Sequence, residues 1–364
     1  MPGSTATTLD EIRSAALASL TPEVRDFLEG GAGAEQTLAW NIDAFARYAF
    51  APRLMSGLSR VDTSTEFVGV PLALPVLVAP FGADGLFNPS GHLATVTAAA
   101  QHGTTLLVPE NGTHSWEAVR AHSPAGAQFA QLHAVGRPEH FASALARIEA
   151  AGYAGVCVTC DCPVSGWKER MRRHRFSPRT AVQGNGLDAR WAEAHRLQLE
   201  QVFSAAGPVW SWAELERALA GTRLPWIAKG VLSAADARAA LDAGARALYL
   251  SNHGGRQLDR VLSPLDVLPE VRRAVGPGVE IAIDSGVRRG SDLVIALALG
   301  ADVTVVGRLA AYGLAADGAR GVARVLELLR QEFVTTMTLL GRHTAAALDP
   351  SVLRAAHSLV GPLA

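Results

Sequence analysis

Short apolar runs rich in β-branched residues recur along the chain. Most are followed by a stretch whose apolar positions repeat every three or four residues. The apolar runs are Val76–Ala79, Thr104–Val108, Gln128–Leu132, Gly155–Thr159, Trp226–Lys229, Ala247–Leu250, Glu280–Ile283 and Val303–Val306, and they predict eight strands. Between them, Leu93–His102, Glu139–Ala151, Ala234–Ala243, Leu265–Val275 and Ser291–Leu299 predict amphipathic helices. Alternating strands and helices are the pattern of parallel strands joined by crossovers. Eight such units predict an α/β fold, a closed (β/α)8 TIM barrel.

An internal repeat agrees with this. Gly230-Val231, Asp236, Gly244-Ala245 and Ser251 return as Gly286-Val287, Asp292, Gly300-Ala301 and Gly307, every offset being 56 residues. Each copy reads as a strand, a Gly-Val loop, a helix ending in Gly-Ala and another strand. Repeated βαβ units are how a barrel is built.

Outside the alternation, residues 1–50 read as an N-terminal helical segment. It has a helix over Leu9–Leu20, then Thr21 as N-cap and Pro22 as first helical residue before Val24–Glu29. Residues 176–210 interrupt the pattern after strand four. The stretch Arg175–Asn185 is polar and mixed, and Ala189–Phe203 is helical, so the excursion is a candidate lid over the site. Ala319–Leu340 reads as the last barrel helix, extended. Residues 1–364 are expected to form a single barrel domain.

Composition narrows the functional classes. The 364 residues are 49% hydrophobic and 18% charged, which suits a large buried core and argues against disorder. Net charge is −1 with no Lys/Arg block, so nucleic acid and anionic membrane are not expected partners. Met1–Leu20 lacks a basic region followed by an apolar one, so no signal peptide is read. The most apolar run, Val70–Phe87, is broken by Pro71, Pro75 and Pro80, and reads as a buried strand with flanking turns, not a membrane span. A soluble, cytoplasmic protein is expected. Cys157, Cys160 and Cys162 lie close in sequence, but thiols on one strand alternate faces and leave a fourth ligand unassigned. Reduced buried thiols are expected, and no metal.

In a barrel, residues just after each strand gather at one face. Strand one ends in Pro80-Phe81-Gly82, strand three carries Gln131 and His133, strand four Thr159 and Asp161, and strand five ends in Lys229. Strand six leads into Ser251-Asn252-His253-Gly254-Gly255-Arg256-Gln257, which sets a potential base three residues from a fixed cation. That pair suits removal of hydrogen from a carbon beside a carboxylate. Strand seven gives Asp284-Ser285-Gly286 and Arg288, and strand eight gives Gly307-Arg308. Two Gly/Arg loops after strands seven and eight predict a phosphate site, the alternative being that the arginines are solvated surface charges.

From about Leu9 to about Gly341, with Ser251–Gln257 as its most specific motif, the chain resembles the FMN-dependent 2-hydroxy-acid oxidases and dehydrogenases, which include glycolate oxidase, lactate oxidase and mandelate dehydrogenase. Lys229-Gly230-Val231, Asp284–Gly290 and Gly307-Arg308 match in order and spacing. The resemblance implies FMN as cofactor. It implies His253 as active-site base, Asp161 orienting it, Arg256 as carboxylate clamp, and Lys229 beside the flavin, stabilising its reduced, anionic form. Gln131, Thr159, Ser251 and the Pro80–Gly82 backbone would contact the flavin, with Phe81 beside the ring and Pro109 nearby. Asp284 would bind the ribityl chain, and Ser285, Gly286, Arg288, Gly307 and Arg308 the phosphate end. A homo-oligomer, a tetramer by resemblance, and molecular oxygen or another electron acceptor are expected.

The departures from the family pattern lie on the substrate side. Phe27 and His133 stand where tyrosines are usual, Pro109 and Asn111 replace a serine and a tryptophan, Phe81 replaces a small residue, and Lys168 replaces an arginine. Gly82 is at a position that varies between alanine and glycine, and glycine leaves room for an approaching molecule. Each lost hydrogen bond to a charged group costs roughly 1.5–3 kcal/mol, so a simple hydroxy acid is expected to bind poorly. The resulting expectation is oxidation of a bulky or aromatic 2-hydroxy acid to its 2-oxo acid, with Phe27, Asn111, His133, Lys168 and Arg256 around the substrate. FMN-dependent oxidation of an amine, an alcohol or a modified peptide end, and a non-redox phosphate-binding barrel, are the alternatives. A flavin-binding protein without turnover is a further one.

Overall fold

The computed structural model of the protein describes residues 5–356. The remaining ends of the 1–364 domain and of the 1–50 segment lie outside the described residues. Eight parallel strands close into a TIM barrel: β1 (Val76–Val78), β2 (Thr105–Val108), β3 (Phe129–His133), β4 (Gly155–Thr159), β5 (Trp226–Val231), β6 (Ala247–Leu250), β7 (Glu280–Ile283) and β8 (Val303–Val306). Closure comes from β8 pairing with β1, with Thr304 beside Val76 and Val306 beside Val78. All eight lie within a residue or two of the sequence expectation, because buried parallel strands are continuous apolar runs.

Two layers of core follow from strand alternation. Leu77, Leu107, Phe129, Cys157, Ile227, Tyr249, Ala282 and Val305 pack inside the barrel. Their neighbours in sequence, such as Val76, Leu106, Val158 and Leu248, pack outward against the helices. Cys157 is thus a core residue, and all three cysteines are free.

The 56-residue repeat is structural. Gly230 and Gly286 have φ of +102° and +111°, and Gly244 and Gly300 have +91° and +112°. Each pair marks the same two turns of a βα unit, where a side chain would be strained. Gly230 also breaks the register between β5 and β6, which carries β5 on to Val231.

Helices start where caps are written. Thr8 and Glu11 form a capping box at Leu9–Ser19, and Thr21 caps Pro22–Glu29 with Pro22 at the first position. Three features were not foreseen. Thr65–Phe67 and Val70–Leu72 form a hairpin, so Val70–Phe87 is not one strand, and Phe67 plugs the barrel against Phe129. Tyr48–Phe50 pairs with Leu353–Ala355. The last helix starts at Arg308 and is broken at Asp317 and Gly318, so Ala319–Leu340 is only its second part. Among the described residues no helix is long and apolar enough to cross a membrane.

The 176–210 excursion contains two single turns and a helix over Ala192–Val202, and it is flanked by the helices Glu169–Arg173 and Trp212–Leu219. Pro178, Val182, Val202 and Phe203 from it face the cavity at the C-terminal ends of the strands. That places the site at the barrel face where loops carry chemistry.

Candidate active site

The cavity gathers His253, Arg256, Lys229, Phe27, Asn111, His133 and Lys168. It also gathers Pro80, Phe81, Gly82, Pro109, Gln131, Thr159, Asp284, Ser285, Gly286, Arg288, Gly307 and Arg308. Two expected residues do not line it. Asp161 stands behind His253, and Ser251 is fully buried, its Oγ accepting from the His253 amide and lying 3.4 Å from Lys229 Nζ. Ser251 is therefore a support for the base and the lysine.

The loop after β6 is held from both sides. Asn252 exchanges side-chain hydrogen bonds with Asn41 of the Gln36–Ala46 helix and accepts from the Gly255 amide. Gln257 donates to the carbonyls of Asp161 and Val164 and accepts from the Gly166 amide. These contacts leave His253 and Arg256 facing the cavity. His253, Ser285 and Ala83 all line it with positive φ, a concentration of backbone strain typical of working sites.

His253 Nδ1 lies 3.3 Å from Asp161 Oδ1, and Lys229 Nζ lies 3.8 Å from the same oxygen. Burial and the positive Lys229 push His253 down to about 4, against the pull of Asp161. Burial alone would raise Asp161, but Lys229 and the contacts with His253 together outweigh it and hold the carboxylate down to about 2. The imidazole is thus neutral and a base at neutral pH, with an anion behind it to stabilise the charge it gains. Asp161 sits hard against Gly230, where a Cβ would come within 2.5 Å of it. Lys229 is buried inside the barrel mouth at 3% exposure, which excludes a surface role. Burial opposes its charge, yet Asp161 and Asp284 raise it above the usual value.

A pH prediction follows. A base displaced to about 4 stays unprotonated where free imidazole, near 6.5, would already be charged. The acid limb of kcat/KM should therefore lie well below pH 6, with activity flat from about pH 6 to 7.5. A limb centred near 6.5 would contradict this assignment.

Cations dominate the rest of the wall. Arg256 donates twice through Nη1, to the carbonyls of Phe27 and Gly30 at 2.7 and 2.8 Å. Burial and Arg308 push Arg256 down to about 9, and burial and Arg256 push Lys168 down to about 8. Arg308 is lowered by burial and by Arg288, and it donates to the carbonyls of Leu28, Gly254 and Gly30. Neither Arg256 nor Arg308 makes an ion pair among the described residues. Half-buried like charges lining one cavity call for anionic ligands. Arg308 thus does more than the expected phosphate contact, because it also pins the helix Pro22–Glu29 over the site.

The residues present fit FMN. Gly286, Arg288, Gly307 and the helix start at Arg308 would hold a phosphate, since a helix N-terminus offers free N–H groups. Asp284, bonded to Tyr249 and Ser285, would face the ribityl chain. Gln131, Thr159, Lys229 and the Pro80–Gly82 backbone would hold the ring. At Gly82 a Cβ would meet the Asn111 carbonyl at 2.6 Å, so glycine here is also required by a neighbouring loop.

The substrate end is aromatic. Phe27 packs on Phe87 and Phe176 at 6.1 and 5.8 Å, and Phe81 packs on Phe87 at 6.1 Å. The Arg256 guanidinium lies 5.1 Å from the Phe27 ring centre, so a cation–π contact stands where the usual tyrosine would bring a hydroxyl. Among the described residues Asn111 Oδ1 is buried with no hydrogen-bond partner. His133 does not stand alone: its Nδ1 is 2.8 Å from Glu110 Oε2. Glu110, Gln198 and Phe87 were missed. Glu110 sits between two residues singled out on the same loop, but its burial is a tertiary fact that no local pattern carries.

Comparisons with known proteins agree with this geometry. The model of the family described as FMN-dependent dehydrogenase matches residues 16–355. A peroxisomal (S)-2-hydroxyacid oxidase of Arabidopsis thaliana is 35% identical over 335 residues, 92% of each chain. An L-lactate oxidase of Nostoc is 36% identical over 360 residues, 95% of this chain and 97% of that one. A crystal structure of a mandelate oxidase with benzoyl-formic acid superposes with a TM-score of 0.85 at 33% identity, covering 96% of this chain and 98% of that one.

Proposed function

The chain belongs to the FMN-dependent dehydrogenase family and is an FMN-dependent oxidoreductase, and from that premise we propose that it oxidises a 2-hydroxy acid with a bulky, aromatic side chain to the 2-oxo acid, with molecular oxygen as electron acceptor. The observation that carries the substrate class is a neutral His253 and two half-buried cations, Arg256 and Lys168, facing a wall of Phe27, Phe81 and Phe87. FMN, when bound, supplies the two-electron acceptor.

The chain's own residues do the rest. Arg256 and Lys168 hold the carboxylate. His253, whose Nδ1 faces Asp161, takes the substrate proton at Nε2. Lys229 keeps a positive charge buried beside the ring site, where low polarity strengthens it. The aromatic side chains, with Val182 and Phe203 of the excursion, exclude water and accept an apolar group; we read the excursion as the cover over the substrate. The same cations speak for an anionic substrate over an amine or alcohol.

Steady-state comparison of mandelate with glycolate tests this reading. Burying a phenyl ring against the Phe27 wall is worth about 2 kcal/mol, so kcat/KM should favour mandelate by roughly 30-fold or more. Equal values, or a preference for glycolate, would count against the aromatic wall as a specificity surface. We further propose a cytoplasmic homo-tetramer, supported by the exposed Leu54, Met55, Leu258 and Leu262. Light scattering on the purified protein decides the assembly.

A further inference from the structure

Glu110 is a buried carboxylate whose ion pair among the described residues is with one partner, His133. Its Oε2 accepts from the His133 amide at 3.0 Å, from His133 Nδ1 at 2.8 Å and from Gln198 Nε2 at 3.0 Å. Its backbone amide donates to Gln131 Oε1, and its carbonyl accepts from Asn185 Nδ2. Glu110 is thus fixed by β3 and by the excursion together. An acceptor-only group at 2.8 Å requires the proton on Nδ1. The Gln131 and Gln198 amide nitrogens, 3.3 Å from Nδ1, are then neighbours and not donors to it. The remaining ring nitrogen is Nε2, and His133 lines the cavity beside Cys162.

We propose that Glu110 and His133 form a charged dyad on the substrate wall, in which Glu110 fixes the Nδ1 proton and His133 presents Nε2–H to the oxygen on C2 of the bound acid. Glu110 is the positioning residue and His133 touches the substrate. The dyad rests on the 2-hydroxy-acid reading above and adds a second ionised donor to it.

Electrostatics points the same way. Burial opposes charge on His133, but contacts with Cys162 and Glu110 outweigh it and lift the imidazole to about 10. His253, in the same cavity, is displaced in the opposite direction, and the His133 charge contributes to that. Two titratable groups pushed apart in one cavity separate the donor from the base. The groups facing His133 are Glu110, Cys162, Gln131, Gln198 and, more distantly, His253, and His140, Arg147 and His195 line a second small cavity with it and Glu110. Sequence alone gave His133 as a replaced tyrosine. The dyad makes it a donor whose charge the neighbouring carboxylate favours, which a tyrosine is not.

The test uses FMN-loaded protein and two probes, benzoylformate, which carries oxygen on C2, and phenylacetate, which does not. Binding is read from the shift in the flavin visible spectrum between pH 5 and 8. Wild type should prefer benzoylformate at every pH. In Glu110→Gln the imidazole loses the carboxylate that favours both its charge and its Nδ1 proton, so benzoylformate affinity should fall about 10- to 100-fold at pH 8 and recover at pH 5 as the ring is protonated. Phenylacetate affinity should change little. His133→Gln should lose the preference without recovery at low pH. Equal weakening of both probes at every pH would mean a merely structural role and overturn the dyad, as would an undiminished preference in both variants. If neither probe perturbs the wild-type flavin, the 2-hydroxy-acid reading itself fails, and the dyad with it.

Discussion

Replacing His253 with alanine should slow anaerobic flavin reduction by about 10²- to 10⁴-fold while FMN stays bound, because general-base catalysis contributes on that scale. The reasons lie in the geometry. His253 is neutral, its Nδ1 faces the ionised Asp161, and its Nε2 makes no hydrogen bond among the described residues, which leaves that nitrogen to take a proton. Its backbone is held independently of its ring, by Ser251 and by the Asn252–Asn41 pair, so truncating the imidazole should leave the loop in place. Stopped-flow absorbance with the purified variant measures the rate, and the visible spectrum reports the bound FMN. An undiminished rate would remove His253 from the base role. Loss of FMN in this variant would instead show that the loop is supported by the ring.

Replacing Arg256 with methionine should lower kcat/KM for a 2-hydroxy acid by roughly 10²- to 10³-fold, the cost of removing one partner of a buried charged pair. Part of any change could come from the Phe27 and Gly30 carbonyls that Arg256 holds, although Arg308 still donates to Gly30. The carboxylate share is isolated by comparing an acid with its amide. The variant should lose far more on mandelate than on mandelamide, and equal losses would mean that Arg256 acts only as a staple. Lys168 offers a second check on the same clamp. Its amine, pushed down to about 8 by burial and by Arg256, loses its charge as pH rises through that value. Wild-type kcat/KM should therefore fall above about pH 8, and Lys168→Arg, which cannot titrate there, should shift this limb upward.

The barrel was legible because each buried strand is a short apolar run bounded by turn residues, and because Gly230/Gly286 and Gly244/Gly300 impose the same left-handed turns twice. The residues gathered around the cavity were legible for a related reason: a barrel places strand ends on one face, so position in sequence stands in for position in space. The hairpin around Gly69 and the pairing of Tyr48–Phe50 with Leu353–Ala355 were not legible. Strands of three residues are too short to show a period, and the second is paired across most of the chain. Side-chain partnerships were the other gap. Ser251 reads as a ligand contact but lies beneath Lys229, Arg308 reads as a phosphate ligand but also ties down three carbonyls, and Glu110 reads as an ordinary loop carboxylate but is buried on His133. Each depends on what another segment brings to the residue.

Anaerobic mixing of the wild-type protein with mandelate is the decisive measurement. The protein should purify with FMN, lose its yellow absorbance on mixing, yield one equivalent of the 2-oxo acid per flavin, and regain its colour when oxygen is admitted. Flavin that stays fully oxidised with mandelate and with other aromatic 2-hydroxy acids would contradict the proposed function.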